Sequence, residues 1–252
     1  MKIAIITGAS AGLGAEFSRQ AKAAFPELEC LWLIARRPDR LEALASELTG
    51  VKVRTLALDL CDSASFDALA ALLAEEKPDV RLLVNNAGCG YLGNIGETEL
   101  AVQTRMVDLN LRALTAVTAV TVPYMSRGGR IVNMSSIASF CPNPRMTVYS
   151  SSKAYVSSFS RGLGEELKPK GITVTAVCSG PMKTEFLDIA HISGNSKMFE
   201  TLPYCDPVKV AEGAYAAARA GRAVYTPRAF FKFYRVVAKI LPHALVVKMA
   251  KT

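Results

Sequence analysis

No Cys-x-x-Cys pair occurs in this chain, and its only histidines are His191 and His243. The six cysteines, Cys30, Cys61, Cys89, Cys141, Cys178 and Cys205, are scattered. That spacing argues against a Cys/His zinc site and against a disulfide framework, so no metal is expected. Reduced thiols in a cytoplasmic protein fit better. A secretory signal is missing too: Lys2-Ile3-Ala4-Ile5-Ile6 runs straight into glycines and a polar helix, without a longer apolar core or a small-residue cleavage site. Repeats, low-complexity tracts and linker-like stretches are also lacking, which favours one domain in 252 residues. Half of the residues are hydrophobic, enough for a real core.

Acidic residues stop at Glu212. Beyond it come Arg219, Arg222, Arg228, Lys232, Arg235, Lys239, Lys248 and Lys251. Removing those eight from the 30 basic residues leaves 22, against 22 acidic ones, so the net charge of +8 belongs to the C-terminal tail. This argues against a nucleic-acid-binding face spread over the fold.

What is present is an alternation. Apolar runs at Lys2–Thr7, Cys30–Ala35, Val51–Leu58, Arg81–Val84, Arg130–Met134, Ile172–Val177 and Ala223–Thr226 read as strands. Between them lie helical patterns: Leu13, Phe17, Ala21 and Ala24 up to Pro26; Leu41, Leu44 and Leu48 up to Gly50; Phe66, Leu69, Leu72 and Leu73 up to Pro78. Further helices are predicted over roughly Glu99–Met125, Val148–Leu167 and Pro207–Ala220. Strands apolar throughout, alternating with helices, predict a single doubly wound α/β domain of Rossmann type. Its sheet is expected to be mostly parallel and seven-stranded, with the domain over 1–227 and a basic, apolar, helical tail over 228–252. Ligand should sit at the carboxyl ends of the strands.

Thr7-Gly8-Ala9-Ser10-Ala11-Gly12-Leu13-Gly14 joins the first strand to the first helix. Glycines permit a tight turn and close approach of a diphosphate to free helix N–H groups. The spacing is Gly-x-x-x-Gly-x-Gly, not the general Gly-x-Gly-x-x-Gly. This turn resembles that of the short-chain dehydrogenases/reductases. At the end of the second strand, NAD binders usually carry a carboxylate for the ribose 2′-hydroxyl. Here stand Ala35, Arg36 and Arg37. A guanidinium suits a 2′-phosphate, so NADP(H) is the expected cofactor, with Arg36 as main contact and Arg37 beside it.

Tyr149 and Lys153 are four apart on a predicted helix and share a face. An ammonium beside a phenol lowers its pKa from about 10 and makes it a usable proton donor to a carbonyl. Asn85-Asn86-Ala87-Gly88 closes the fourth strand, and Ser135-Ser136 closes the fifth. Asn110 sits mid-helix, where asparagine is a poor helix former. In the short-chain family these positions correspond to a catalytic tetrad of Asn110, Ser136, Tyr149 and Lys153. The resemblance covers residues 1 to about 185.

It implies the following roles. Ser136 holds the substrate oxygen, with Ser135 as the alternative; Tyr149 is acid or base; Lys153 holds the nicotinamide ribose and tunes Tyr149; Asn110 supports a relay water. Cofactor contacts are implied at Gly8, Ser10, Gly12, Leu13 and Gly14, at Asp59 and Leu60, at Asn86, Ala87 and Gly88, at Tyr149 and Lys153, and at Gly180, Met182 and Thr184. Ser179 stands where the family usually has proline.

The expected activity is NADP(H)-dependent interconversion of a carbonyl and a secondary alcohol, by a homodimer or homotetramer. An oxidative, hydroxysteroid-type dehydrogenase and a non-catalytic NADP sensor are the alternatives. Candidate pocket walls at 89–96, 137–147 and 185–204 hold Tyr91, Leu92, Phe140, Met146, Phe186, Leu187, Met198, Phe199 and Tyr204, which points to a lipophilic substrate. Arg145 offers contact to a polar end. In the tail, Lys232, Arg235 and Lys239 share a helical face while Phe230, Phe233, Val237 and Leu241 lean to another. Such a helix either lies peripherally on an anionic membrane or packs on the active-site lid or another subunit; both readings stand open.

Overall fold

Seven strands form where the apolar runs predict them: β1 (Lys2–Thr7), β2 (Cys30–Ala35), β3 (Lys52–Ala57), β4 (Asp79–Asn85), β5 (Arg130–Met134), β6 (Thr173–Val177) and β7 (Val224–Tyr225). The structure, a computed structural model, describes residues 1–250, and the side chains of Lys197, His243 and Met249 are not among the described ones. The strands make one sheet in the order β3-β2-β1-β4-β5-β6-β7. Every pairing in it is parallel.

Helices cover both faces, which is why the strands carry no polar alternation. They are α1 (Gly12–Ala24), α2 (Pro38–Glu47), α3 (Ala64–Glu76), α4 (Leu100–Val107), α5 (Ala113–Thr121), α6 (Thr147–Leu167), α7 (Glu185–Ile189), α8 (Lys197–Thr201), α9 (Pro207–Arg219), α10 (Ala229–Ile240) and α11 (His243–Met249). On one face, Phe17 and Ala21 of α1, with Phe25 just beyond its end, meet Ala214 and Tyr215 of α9 over β1 and β2. On the other, Leu69 and Leu73 of α3, Val117 of α5 and Leu167 of α6 pack on Ile3, Ile5 and Trp32. Each fully buried side chain of this size contributes about 1.5–3 kcal/mol. At its start α9 is held by Asp206, whose carboxylate accepts the Val208 N–H at 3.0 Å, with Pro207 in the first turn.

The predicted helix over Glu99–Met125 is interrupted. Between α4 and α5 the chain widens into a π turn over Asp108–Arg112, and after α5 it tightens into a 3₁₀ turn over Val122–Tyr124. Pro123, which has no N–H to donate, lies in that second break. The π turn centres on Asn110, the residue that was out of place in a helix.

The order reverses between β1 and β4: the chain winds outward to β3, then returns to the other side of β1. Their carboxyl ends therefore diverge into a crevice.

Candidate active site

At the crevice, Thr7 locks β1 to β4. Its hydroxyl donates to Val84 O at 3.3 Å and accepts the N–H groups of Asn86 and Ala87, each at 3.0 Å. Asn86 returns the tie, its amide donating to Thr7 O at 3.1 Å and Gly8 O at 3.2 Å. Asn86 lines the cleft as predicted, but both its amide hydrogens are committed to the glycine turn. Gly8 needs its freedom twice: its φ is +65°, and a Cβ there would lie 2.9 Å from Ala87 Cα. Gly14 is a correction. It does not line the cleft; a Cβ on it would fall 2.0 Å from Gly8 O, so it serves to seat α1 directly on the turn.

The catalytic residues converge from α6, the end of β5 and the π turn. Ser136 and Ser135 separate cleanly. Ser135 Oγ donates to Lys153 O at 2.9 Å and pairs with Ser157 Oγ at 2.7 Å, binding the strand end to α6. Ser136 Oγ accepts the Ala138 N–H at 3.1 Å and hydrogen-bonds Tyr149. Lys153 Nζ donates to Met134 O at 2.9 Å and stands 5.7 Å from the Tyr149 ring centroid.

Asn110 is buried behind this group and does not line the cleft. Its Oδ1 accepts the Cys89 N–H at 2.9 Å, and its Nδ2 donates to Cys89 O and to Ser152 Oγ, each at 2.9 Å. With both amide hydrogens committed, what the side chain holds is the Cys89 loop beside Lys153. The π turn provides the room for this, and π turns recur at functional sites for that reason.

Electrostatics differ from the simple expectation of a phenol acidified by its neighbour. Burial pushes Tyr149 up to about 12, opposed by its hydrogen bond to Ser136. Burial also pushes Lys153 down to about 8. Near neutrality the phenol is thus protonated and the amine still charged. The ammonium acts on the phenolate that proton donation creates.

Lys153 is an ammonium below about 8 and loses its charge as pH rises through that value. The kcat/KM of carbonyl reduction should therefore fall on the alkaline side of about pH 8, whereas an unperturbed lysine would hold it to about 10.4. A pH–rate profile checks this, and a plateau extending past pH 10 would remove Lys153 as the titrating group.

Around the reacting group opens a cavity of about 780 Å³. It is lined by Gly8, Ser10, Gly12, Leu13, Arg36, Arg37, Asp59, Leu60, Asn86, Ala87 and Gly88, by Ser136, Tyr149 and Lys153, and by Gly180, Met182 and Thr184, the last beside Gly12. These residues fit a dinucleotide: the turn is open because Gly8 and Gly12 carry no Cβ, and α1 begins at its edge. Asp59 is fixed by its carboxylate accepting the Cys61 N–H at 3.0 Å. Arg37 donates to Glu185 at 3.2 Å and to Ser10 Oγ at 3.4 Å, and Arg40 reaches the same Glu185 at 2.6 Å. Arg36 is exposed and, among the described residues, makes no hydrogen bond or ion pair.

Of the predicted apolar wall, Tyr91, Met146, Phe186, Leu187, Met198 and Phe199 face the cavity. Leu92 and Tyr204 pack behind them, and Phe140 packs against Tyr234. Arg145 does not line the cavity; its guanidinium donates to Asn195 O at 3.4 Å.

The tail helices form a roof, as the lid-packing reading of the tail expected. Phe230, Phe231, Tyr234 and Val237 of α10 and Val246 of α11 all line the cavity. Phe231 is fully buried, and a Cβ on Gly180 would come within 2.2 Å of its ring. The apolar face of Phe230, Phe233, Val237 and Leu241 is divided: Phe230 and Val237 line the cavity, and Phe233 is 69% exposed. His191, against Tyr91 at 4.9 Å between ring centroids, is a further wall residue within the predicted segment 185–204.

The sequence profile of the short chain dehydrogenases matches residues 2–191. A sulfoacetaldehyde reductase of Chromohalobacter salexigens is 39% identical over 186 residues, 72% of each chain. A very-long-chain 3-oxoacyl-CoA reductase of Aspergillus clavatus is 35% identical over 187 residues, 69% of this chain and 52% of that one. Among solved structures, a short-chain dehydrogenase of Sphingobium yanoikuyae in complex with NADPH superposes with a TM-score of 0.80 at 29% identity, covering 97% of this chain and 98% of that one. With the glycine turn, the Ser136–Tyr149–Lys153 group and the all-parallel sheet already in place, the chain belongs to the short-chain dehydrogenase/reductase family and is an oxidoreductase of alcohol and carbonyl groups.

Proposed function

We propose that this protein is an NADP(H)-dependent carbonyl reductase acting on a lipophilic ketone or aldehyde. Arg36 carries the cofactor half of the reading. It follows β2 directly, lines the cavity and among the described residues makes no hydrogen bond or ion pair, and no carboxylate stands at the strand end to bind a 2′-hydroxyl. Arg37 and Ser10 add donors beside it.

The bound reduced nicotinamide supplies a hydride to the carbonyl carbon. Gly8, Gly12, Arg36 and Asp59 would hold the adenosine diphosphate end, and Lys153 and Thr184 the nicotinamide end. Ser136 donates to the substrate oxygen and stabilises its developing charge. Tyr149 Oη gives that oxygen its proton, and the Lys153 ammonium stabilises the phenolate left behind.

The substrate half rests on the lining. Phe186, Phe199, Phe230 and Phe231 line the same cavity as the catalytic group, Phe186 lying 5.8 Å from Tyr149 between ring centroids, and Arg145 is not among the lining residues. An extended apolar carbonyl compound of the acyl-chain or steroid class suits these walls.

Arg36→Asp is the direct test. Two charge-assisted hydrogen bonds lost, and a repulsion gained, should weaken NADPH relative to NADH by roughly 10- to 100-fold. Fluorescence titration with both reduced cofactors reads it. An unchanged preference would mean that Arg36 does not select the cofactor.

A further inference from the structure

α10 has two apolar faces. Phe231, Tyr234 and Ala238 turn inward to the cavity and the core. Phe230, Phe233, Val236 and Ile240 turn outward, 52%, 69%, 54% and 75% exposed. Four large apolar side chains on one exposed helical stripe form a patch that monomers seldom leave uncovered. Lys232, Arg235 and Lys239 recur on the adjacent face, and Arg228 stands at the helix start. No acidic residue follows Glu212 to neutralise them.

We propose that this outer face of α10 docks the enzyme on an anionic lipid surface. Charge decides between occupants. A second copy stacked face to face would set Lys232, Arg235 and Lys239 against their own counterparts, whereas anionic headgroups complement them. The stripe suits insertion to the acyl boundary while the lysines snorkel to the headgroups. Docking here is peripheral: α10 has 12 residues, and among the described residues no helix is long and apolar enough to cross a membrane.

Position adds a second argument. Phe230 is at once exposed and part of the cavity wall, and so is Ile189, 64% exposed on α7. The docking face is therefore continuous with the rim of the cavity. An apolar substrate dissolved in the lipid would enter without crossing water. Docking itself does not depend on the substrate assignment, and the test below uses no substrate.

The intact protein is sedimented with vesicles of phosphatidylcholine alone and of phosphatidylcholine mixed with phosphatidylserine. Binding is expected to the mixed vesicles only and to weaken with salt. Lys232→Gln with Lys239→Gln should weaken it roughly 25-fold, about fivefold for each cation. Phe233→Asp should weaken it roughly 10- to 100-fold. All three positions face solvent, so thermal melts should match the parent. Failure to bind either vesicle would overturn the proposal, as would equal binding to neutral vesicles that the lysine changes leave untouched. Self-association that Phe233→Asp abolishes, without vesicle binding, would assign the face to a second copy instead.

Discussion

Tyr149→Phe should lower kcat/KM for carbonyl reduction by about 10²- to 10⁴-fold, the range a positioned general acid contributes. The substitution removes one oxygen and leaves the ring that packs against Phe186 at 5.8 Å between centroids. Cofactor affinity should change little, because Lys153 keeps its hydrogen bond to Met134 O and the glycine turn is untouched. The split matters. A fall in turnover with cofactor binding intact assigns Tyr149 to chemistry, whereas loss of both would mean that it holds the cleft together. Ser136→Ala should show a related but smaller loss, since Ser136 hydrogen-bonds the phenol and, in the proposed reaction, donates to the substrate oxygen.

Phe231→Ala is expected to have the largest effect on stability. The ring is fully buried and packs on Gly180, joining α10 to the loop after β6. Truncating a buried phenylalanine costs about 3–5 kcal/mol, the lost burial together with the cavity left behind. For a chain of this size that is roughly 10 °C in Tm. The same change opens the cavity wall, so KM for an apolar ketone should rise even below the melting transition. Thermal denaturation and steady-state kinetics on the one variant separate the two effects. A Tm within about 2 °C of the parent would show that the tail contributes little to the fold. Phe233→Ala is the control: its side chain is 69% exposed, and its Tm should stay near the parent's.

The parts of the site that sequence made legible are those written in local pattern. Strands buried on both faces leave unbroken apolar runs, and β1 and β2 begin and end where those runs do. Tyr149 and Lys153 meet because a helix turns in 3.6 residues, and Ser136 joins them from the end of β5. Asn110 carried a signal of a different kind, a residue unsuited to the element around it. What it marked was a π turn held by a hydrogen-bonded pair with the Cys89 backbone.

Partners remote in sequence left no such trace. Glu185 binds Arg37 and Arg40 across the cleft, and nothing in either segment announces the other. The two readings of the tail stayed open for a related reason. α10 is apolar toward the core and toward solvent alike, so the period alone could not say which stripe is buried. Only Gly180, by leaving space for a ring, decides for Phe231 over Phe233.

The central claim is that Tyr149 and Lys153 reduce an apolar carbonyl compound at the expense of NADPH. A panel of ketones and aldehydes, apolar and charged, followed at the nicotinamide absorbance with NADPH and with NADH, tests it most directly. Turnover of apolar members with NADPH preferred, lost in Tyr149→Phe, is the predicted result. Tight cofactor binding with no turnover on any carbonyl would contradict it and make the chain a sensor of its cofactor.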